Sequence, residues 1–151
     1  MIVGRGGGGF TVVVRGATRR FAVAVGSSRL RFRTVAAEDL AQDLVDLIDR
    51  PASFGKALDA GSDDVMTMRQ MVAVAAQSVS RRPGRMVFVP AAVVRLLAPL
   101  LERVARVPKG AIGGFVGDGP QQDMIGDPGE LRAVLGRSDR SFRESIEGQL
   151  V

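Results

Sequence analysis

The chain has 151 residues, which is the size of one domain or of part of a larger one. Hydrophobic residues make up 46% and charged residues 25%, so a packed core is expected and disorder is not. Cysteine, histidine, tyrosine and tryptophan are all absent. Their absence excludes disulfides, histidine metal sites, Ser-His and Cys-His nucleophile pairs, and a tyrosine acid or base.

The formal net charge is +5 and comes almost entirely from arginine. Such an excess is compatible with an anionic partner. However, the arginines are scattered along the chain, and the pairs Arg19–Arg20 and Arg81–Arg82 are too short to predict a nucleic-acid patch. We therefore expect a solvated basic surface and no nucleic-acid partner. No run of about 18 apolar residues occurs, so no transmembrane segment is predicted. The N-terminus lacks a secretory pattern, and a cytoplasmic location is the default expectation.

The first ten residues contain Gly4, Gly6 and Gly9 in the spacing G-x-G-x-x-G. Between a strand and a helix, this spacing is the fingerprint of a dinucleotide pyrophosphate site. That site also needs an acidic residue about 20 positions later. Here no Asp or Glu precedes Glu38, and Gly16 weakens a helix over the valine-rich segment that follows. A run so rich in glycine matches the pattern easily by chance.

The central part of the chain alternates strand and helix patterns. Strands are predicted over Val12–Val14, Phe21–Val25 and Leu30–Val35, the first two as alternatives to each other. A helix opens at Glu38 and Asp39, with an apolar face formed by Leu40, Leu44, Leu47 and Ile48, and ends before Pro51. After a turn at Phe54–Gly55, Lys56–Ala60 is predicted as a strand.

The capping box Thr67-x-x-Gln70 predicts the next helix, which ends at Arg82-Pro83-Gly84 and leads to a strand over Met86–Val89. A strongly apolar helix follows over Ala91–Val107, with a kink at Pro99. Its apolar stripe is expected to cover a sheet or line a core, and docking on a partner helix or a membrane surface is the alternative; the stripe consists of Leu96, Leu97, Leu100, Leu101 and Val104.

The C-terminal third begins with residues 108–126, a glycine-rich segment predicted to be a loop or a short helix. Asp127 as N-cap, Pro128 and Glu130 predict a helix that ends at Gly136. A second capping box, Ser141-x-x-Glu144, predicts a last helix with Ile146 and Leu150 facing inward.

Several of these segments together resemble the atypical and extended short-chain dehydrogenase/reductase superfamily, in particular its NmrA-like and nucleotide-sugar-epimerase-like members. The resemblance rests on motifs that follow one another in the same order as in that superfamily. They are Arg31-x-x-Thr34-Val35-Ala36-x-x-Asp39-Leu40-Ala41, Phe54-Gly55-Lys56-Ala57-Leu58-Asp59-Ala60-Gly61, Val65-Met66-Thr67-Met68-Arg69-Gln70-Met71 and Gly84-Arg85-Met86-Val87-Phe88-Val89-Pro90. The closing segments Gly126-Asp127-Pro128-x-Glu130-Leu131 and Ser141–Ile146 are similar as well.

The resemblance gives the first loop a different role. Met1-Ile2-Val3-Gly4-Arg5-Gly6-x-x-x-Phe10 resembles a late strand of the Rossmann sheet and the loop after it, which in the superfamily lies beside the nicotinamide. Arg5 stands where proline is usual. The resemblance implies NAD(P) as cofactor, with Gly4 and Gly6 near it and Phe10, Arg31 and Arg33 toward the substrate. An equal alternative to the substrate role is that Arg31 and Arg33 are solvated residues at the edge of a strand. No catalytic residue is predicted, because the chain contains no tyrosine to serve as the catalytic acid. No metal site is predicted either, because Asp59, Asp63 and Asp64 do not have the spacing of metal ligands.

The resemblance also predicts an α/β fold: a partial Rossmann-like fold with late sheet strands and a small, mainly helical C-terminal substrate-binding part. Residues 1–35 are expected to hold the late strand, the glycine-rich loop and a cleft-lining segment. Residues 36–90 complete the sheet, and residues 91–151 form the helical part. The first βαβ unit and the Tyr-x-x-x-Lys pair of the superfamily have no counterpart in this chain.

Two functions therefore remain open. The chain is either the substrate-side module of an NAD(P)-dependent oxidoreductase or epimerase, inactive on its own, or a non-catalytic NAD(P)-sensing or protein-interaction module of NmrA type. Docking through the helix over Ala91–Val107 is a weaker third possibility. Because parallel strands are normally covered on both faces and an open edge invites pairing, we also expect self-association or a partner chain.

Overall fold

The computed structural model describes residues 1–4, 6, 8–105, 122–147 and 149. These residues form an α/β structure of short strands and α-helices. The strands are β1 (Ile2–Val3), β2 (Phe21–Val25), β3 (Arg31–Arg33), β4 (Val35–Ala36), β5 (Val65–Thr67) and β6 (Arg85–Val89). The helices are α1 (Gly8–Thr18), α2 (Ala37–Leu47), α3 (Met68–Ser78), α4 (Ala91–Ala105), α5 (Gly129–Leu135) and α6 (Phe142–Ile146), with a 3₁₀ turn at Pro51–Ser53.

The strands pair two by two. β1 pairs with β4 and β2 pairs with β6, both in parallel, whereas β3 and β5 are antiparallel. The β2–β6 pair is the longest and runs in register from Phe21 opposite Arg85 to Val25 opposite Val89. Parallel pairs joined through helices are typical of a Rossmann-like sheet. The predicted α/β class and partial Rossmann-like fold are therefore confirmed.

The core lies where α1 and α3 pack on the strands. Gly16 makes this approach close, because a Cβ atom placed on it would lie 2.7 Å from Cγ2 of Val72. The last helix, α6, closes the core with Phe142 and Ile146, which are almost fully buried. The remaining members of the cluster are Val3, Phe10, Val13, Ala17, Ala24, Met71, Val72, Ala75, Ala76 and Met86.

The local helix signals in the sequence are confirmed. Both capping boxes form: the Thr67 hydroxyl accepts from the backbone N–H of Gln70, and the Ser141 hydroxyl accepts from that of Glu144. Gly136 ends α5 in the left-handed conformation. Pro128 rather than Asp127 is the N-cap residue of α5, but the Asp127 carboxylate still accepts from the Gly129 N–H at 3.0 Å.

Three strand predictions need correction. Val12–Val14 lies within α1, because packing on α3 outweighs the strand preference of valine. Lys56–Ala60 is not a strand; the Asp59 carboxylate instead accepts from the backbone N–H of Asp127. The strand predicted over Leu30–Val35 is interrupted at Thr34, so that β3 and β4 have different partners.

Two helices expose residues of the apolar faces that the sequence predicted for them. On α2, Leu44 and Ile48 are 61% and 67% exposed, while the buried residue of that helix is Asp43. On α4, which contains Pro99, Leu96 is 80% exposed. The predictions for Arg5, Val107, Leu150 and residues 108–121 lie outside the described residues.

Candidate functional site

The candidate site lies at the carboxyl ends of the parallel strands β1 and β4. Open parallel sheets bind ligands outside the carboxyl ends of their strands, because the loops there are free to shape a crevice. Here a groove of about 280 Å³ occupies that position. It is lined by Val3, Gly4, Ala36, Ala37, Glu38, Ser145 and Gln149.

Glycine is required at both predicted cofactor positions, for different reasons. A Cβ atom on Gly4 would lie 2.8 Å from the Cβ of Ala37, so a side chain there would fill the groove. Gly6 has φ +90°, a backbone conformation that side chains disfavour, although nothing lies within 4 Å of its Cβ position. The loop after β1 is therefore shaped by glycine at the mouth of the groove.

The amino end of α2 forms the opposite wall of the groove. Its N-cap residue, Ala36, has no side chain that caps the helix, so the first backbone N–H groups lack a side-chain acceptor at this position. Such N–H groups and the helix dipole favour an anionic group. Glu38, in the first turn, places a carboxylate at the same wall.

Arg140 neutralises the acidic first turn of α2. It donates hydrogen bonds to Asp39 at 2.8 Å and to Glu38 at 2.9 Å. Partial burial acts to raise the pKa of Asp39, but the hydrogen bonds and the charge of Arg140 outweigh it, so that this pKa lies below its usual value. Asp39 lies in the first turn of α2, as predicted, and that it has no catalytic role stays a prediction.

The two predicted substrate arginines contact the segment 123–126. Arg31 forms an ion pair with Asp123 at 2.6 Å, and its hydrogen bonds lower the pKa of that carboxyl group. Arg33 donates to the carbonyl oxygens of Ile125 and Ser62, at 2.9 and 2.6 Å. Among the described residues, neither arginine lines the groove at Gly4. Their contact with a substrate stays a prediction.

Phe10 lies one helical turn into α1 and is only 3% exposed. It belongs to the same core cluster as Val3 of β1. Its contribution in the described structure is to fix the start of α1 against β1, and its contact with a substrate also stays a prediction.

The dinucleotide fingerprint is only partly matched by its structural context. Contrary to our expectation, a regular helix, α1, does follow β1 and the glycines. However, β1 pairs with β4 and not with β2, and β2 leads into Gly26 and Ser27 without an acidic residue. The ribose contact that such a site needs is therefore missing.

Sequence reasoning missed Glu38, Ser145 and Gln149 as groove residues. For Ser145 a signal existed: it lies one turn after the capping residue Ser141, between the inward-facing Phe142 and Ile146. No metal-binding group of carboxylates occurs in the described part of the chain. Nor does any described helix have the length and apolar character to cross a membrane.

No protein-family model matches the chain, and a search of curated proteins found no match. Solved structures do match. An epimerase from Methanothermobacter thermautotrophicus has a TM-score of 0.63 at 15% identity and covers 97% of this chain. An NADPH-dependent quinone oxidoreductase from Escherichia coli has a TM-score of 0.62 at 14% sequence identity and covers 95% of this chain. An NAD-dependent NDP-hexosamine 5,6-dehydratase of tunicamycin biosynthesis has a TM-score of 0.62 at 13% sequence identity and covers 99% of this chain.

The chain spans only 38%, 50% and 42% of these three proteins, respectively. At identities this low, the matches establish the fold and nothing finer. The fold that the resemblance predicted is thus confirmed, over the part of those structures which this chain spans.

Proposed function

We propose that this chain is the substrate-side module of an NAD(P)-dependent oxidoreductase or epimerase, and that it acts together with a dinucleotide-binding half. The observation that carries the proposal is the groove at the carboxyl ends of β1 and β4. Glycine at position 4 keeps this groove open, and the uncapped amino end of α2 lines it. In this role Gly4 and Gly6 lie near the nicotinamide, and the chain itself contributes no catalytic residue.

The solved structures support a partner half. Three of the proteins with this fold are an epimerase, an NADPH-dependent oxidoreductase and an NAD-dependent dehydratase. Half or more of each of those chains lies beyond the part that this chain matches. A dinucleotide-binding half would extend the sheet from the edge at β1.

The exposed face of α2, formed by Leu44, Val45 and Ile48, also supports a partner. Each of these side chains is at least 60% exposed. A contiguous apolar surface of this kind marks an interaction site more often than a solvated surface. We propose that it packs against the partner half or, without one, against a second copy of the chain.

The proposed roles of Arg31, Arg33 and Phe10 in substrate binding are based on where these residues lie in the structure. Arg31 keeps its side chain 55% exposed beside Asp123 and, with Arg33, is proposed to meet a phosphate group of the substrate. Phe10 supports the floor of the cleft from below. The division into residues 1–35, 36–90 and 91–151 is part of the same proposal.

Backbone amide shifts in NMR spectra, followed during titration, test the site. We expect a nucleoside diphosphate to shift Gly4, Ala37 and Arg31, and NADPH to give no saturable binding to the chain alone. Gly4→Val should abolish the shifts, because the new side chain would fill the groove. If the nucleoside diphosphate leaves all three residues unmoved, the substrate-side assignment is wrong.

A matched pair of variants tests the alternative use of the glycine loop. Gly6→Val and Gly55→Val place the same side chain at open positions with φ +90° and φ +71°. Saturable NADPH binding that is lost in Gly6→Val and kept in Gly55→Val would establish a dinucleotide site in the first loop. That result would favour the NAD(P)-sensing alternative over the substrate-side module.

Light scattering tests the partner surface. We expect the chain to self-associate as its concentration rises, and Ile48→Lys on α2 to reduce this association. Leu96→Lys, at a more exposed leucine on α4, is the control and should have a smaller effect. A monodisperse monomer at high concentration would contradict the proposed surface.

A further inference from the structure

The acidic residues that the structure describes are confined to one part of the folded molecule, which is not apparent from their order in the sequence. All 16 acidic residues lie outside residues 1–37 and 65–101. The fold brings these two acid-free stretches together, since α1 packs on α3 and β2 pairs with β6. One half of the described molecule therefore carries arginine without any carboxylate of its own.

Five arginines of this half converge at the amino end of the β2–β6 pair. Arg85 donates its backbone N–H to the carbonyl oxygen of Arg20 at 2.9 Å, and the Arg81 side chain donates to that of Thr18 at 3.0 Å. The two arginine pairs that lie 62 positions apart in sequence are thus neighbours. We name this cluster the basic rim; its members are Arg19, Arg20, Arg81, Arg82 and Arg85.

The basic rim is unneutralised. All five side chains belong to exposed residues, and none of them takes part in an ion pair among the described residues. Cations that do form ion pairs in the described part of the chain include Arg31, Lys56, Arg132, Arg137 and Arg140. Clustered like charges without counterions raise the local potential and attract anionic surfaces.

An apolar sheet face adjoins the basic rim. Strand β2 alternates between buried alanines and exposed Phe21, Val23 and Val25, which are 54%, 47% and 46% exposed. On β6, Val87 lies opposite Val23 and is 44% exposed. These four side chains form what we name the outer sheet face. Parallel strands normally bury both faces, so an apolar outer face indicates that something covers it.

A groove of about 590 Å³ joins the two features. Phe21 and Val87 of the outer sheet face line it together with Arg85 of the basic rim, and Arg69 lies at its border. The Arg69 guanidinium lies 5.1 Å from the centre of the Phe88 ring. The groove therefore offers positive charge and apolar surface to the same ligand.

We propose that the basic rim and the outer sheet face form a docking surface for a membrane that contains anionic phospholipids. The guanidinium groups would bind lipid phosphates, while Phe21 and the valines reach the boundary of the acyl chains. Charge complementarity selects the anionic lipid. The aliphatic face argues against a single-stranded nucleic acid, because such a site needs aromatic side chains on which bases stack, and Phe21 is the only aromatic residue of this face. A duplex offers phosphates to the arginines but no apolar surface to the exposed valines. The surface is independent of the groove at Gly4.

Co-sedimentation of the full chain with vesicles tests the charge requirement. We expect binding to vesicles of phosphatidylcholine with phosphatidylserine, and little binding to phosphatidylcholine alone. Arg20→Glu/Arg82→Glu should lower the affinity about tenfold or more. The control Arg29→Glu/Arg50→Glu makes the same change of net charge away from the rim and should have a clearly smaller effect. Circular dichroism verifies that all variants are folded.

The apolar requirement is tested with Phe21→Thr, which keeps a residue suited to a strand. It should weaken vesicle binding several-fold, whereas Leu44→Thr on α2 should not. Binding of neutral and anionic vesicles alike, no binding to either, or equal losses in rim and control variants would overturn the proposal. A rim-dependent affinity for a duplex DNA oligonucleotide that exceeds the affinity for vesicles would assign the surface to nucleic acid instead.

Discussion

Two regions of the molecule are held together by different forces. The contact between α1 and α3 is apolar and close, with Gly16 against Val72 within a cluster of buried hydrophobic side chains. The contact of α2 with the segment after α5 depends on ion pairs: Arg137 reaches Asp43 at 2.5 Å, and Arg140 reaches Asp39 at 2.8 Å. The first contact should be insensitive to pH and salt, and the second should respond to both.

Introducing a side chain at position 16 should have the largest effect on the free energy of unfolding. In Gly16→Val, the new methyl groups must displace Val72 or separate the two helices, and forced repacking of this kind typically costs about 1–3 kcal/mol. We expect the free energy of unfolding, measured with urea, to fall by that amount and to depend little on salt.

Two further variants check the reason for that loss. Val72→Ala should restore part of the stability of Gly16→Val, because it removes the atoms that clash. Arg15→Val introduces the same side chain at an exposed position of α1 and should change stability by about 0.5 kcal/mol or less. If Arg15→Val were as harmful as Gly16→Val, helix propensity rather than close packing would explain both.

The effect of pH on stability through the ionic contact should be smaller than that of Gly16→Val and larger than that of losing an exposed ion pair. Asp43 is 2% exposed; burial and the nearby Asp139 carboxyl raise its pKa to about 6, although Arg137 acts to lower it. Its Oδ2 atom has no hydrogen-bond partner in the described structure. Asp139 is also buried, with 6% of its side chain exposed. A proton on Asp43 would therefore relieve the repulsion between two buried carboxylates.

The direction of the effect follows from proton linkage. Because the folded state binds this proton more tightly than the unfolded state, Asp43 contributes more stability as the pH falls from about 7 toward 4. We expect the stability of the native chain, relative to that of Asp43→Asn, to increase over this range. Asp46→Asn, at a more exposed neighbour, is the control. A difference between the native chain and Asp43→Asn that stays constant with pH would contradict the raised pKa.

The smallest effect is expected at a separate, exposed ion pair between Lys56 and helix α5. Lys56 and Glu130 pair at 2.9 Å, with side chains 43% and 58% exposed. Exposed pairs contribute about 0–1 kcal/mol, so Lys56→Met should lower stability only slightly. The loss should disappear in about 1 M salt, where the Debye length is roughly 3 Å. A loss that persists in high salt would mean that packing of the lysine stem, not its charge, is responsible.

The sequence alone predicts the elements whose signals are local. The capping boxes at Thr67 and Ser141, the stop at Gly136 and the acidic start of α2 all form as expected, because each depends on residues within one helical turn. The resemblance, which covers most of the chain, correctly predicts the fold. The missing tyrosine, histidine and cysteine restrict the chemistry, whatever the fold.

Only the tertiary structure decides features that depend on distant partners. It turns Val12–Val14 into a helix, because α3 offers a packing surface, and leaves Lys56–Ala60 without a partner strand. It buries Asp43 while exposing Leu44 and Ile48, and it brings together the arginine pairs at 19–20 and 81–82, which look scattered in the sequence. In each case the deciding contacts join residues far apart along the chain, so no local pattern contains them.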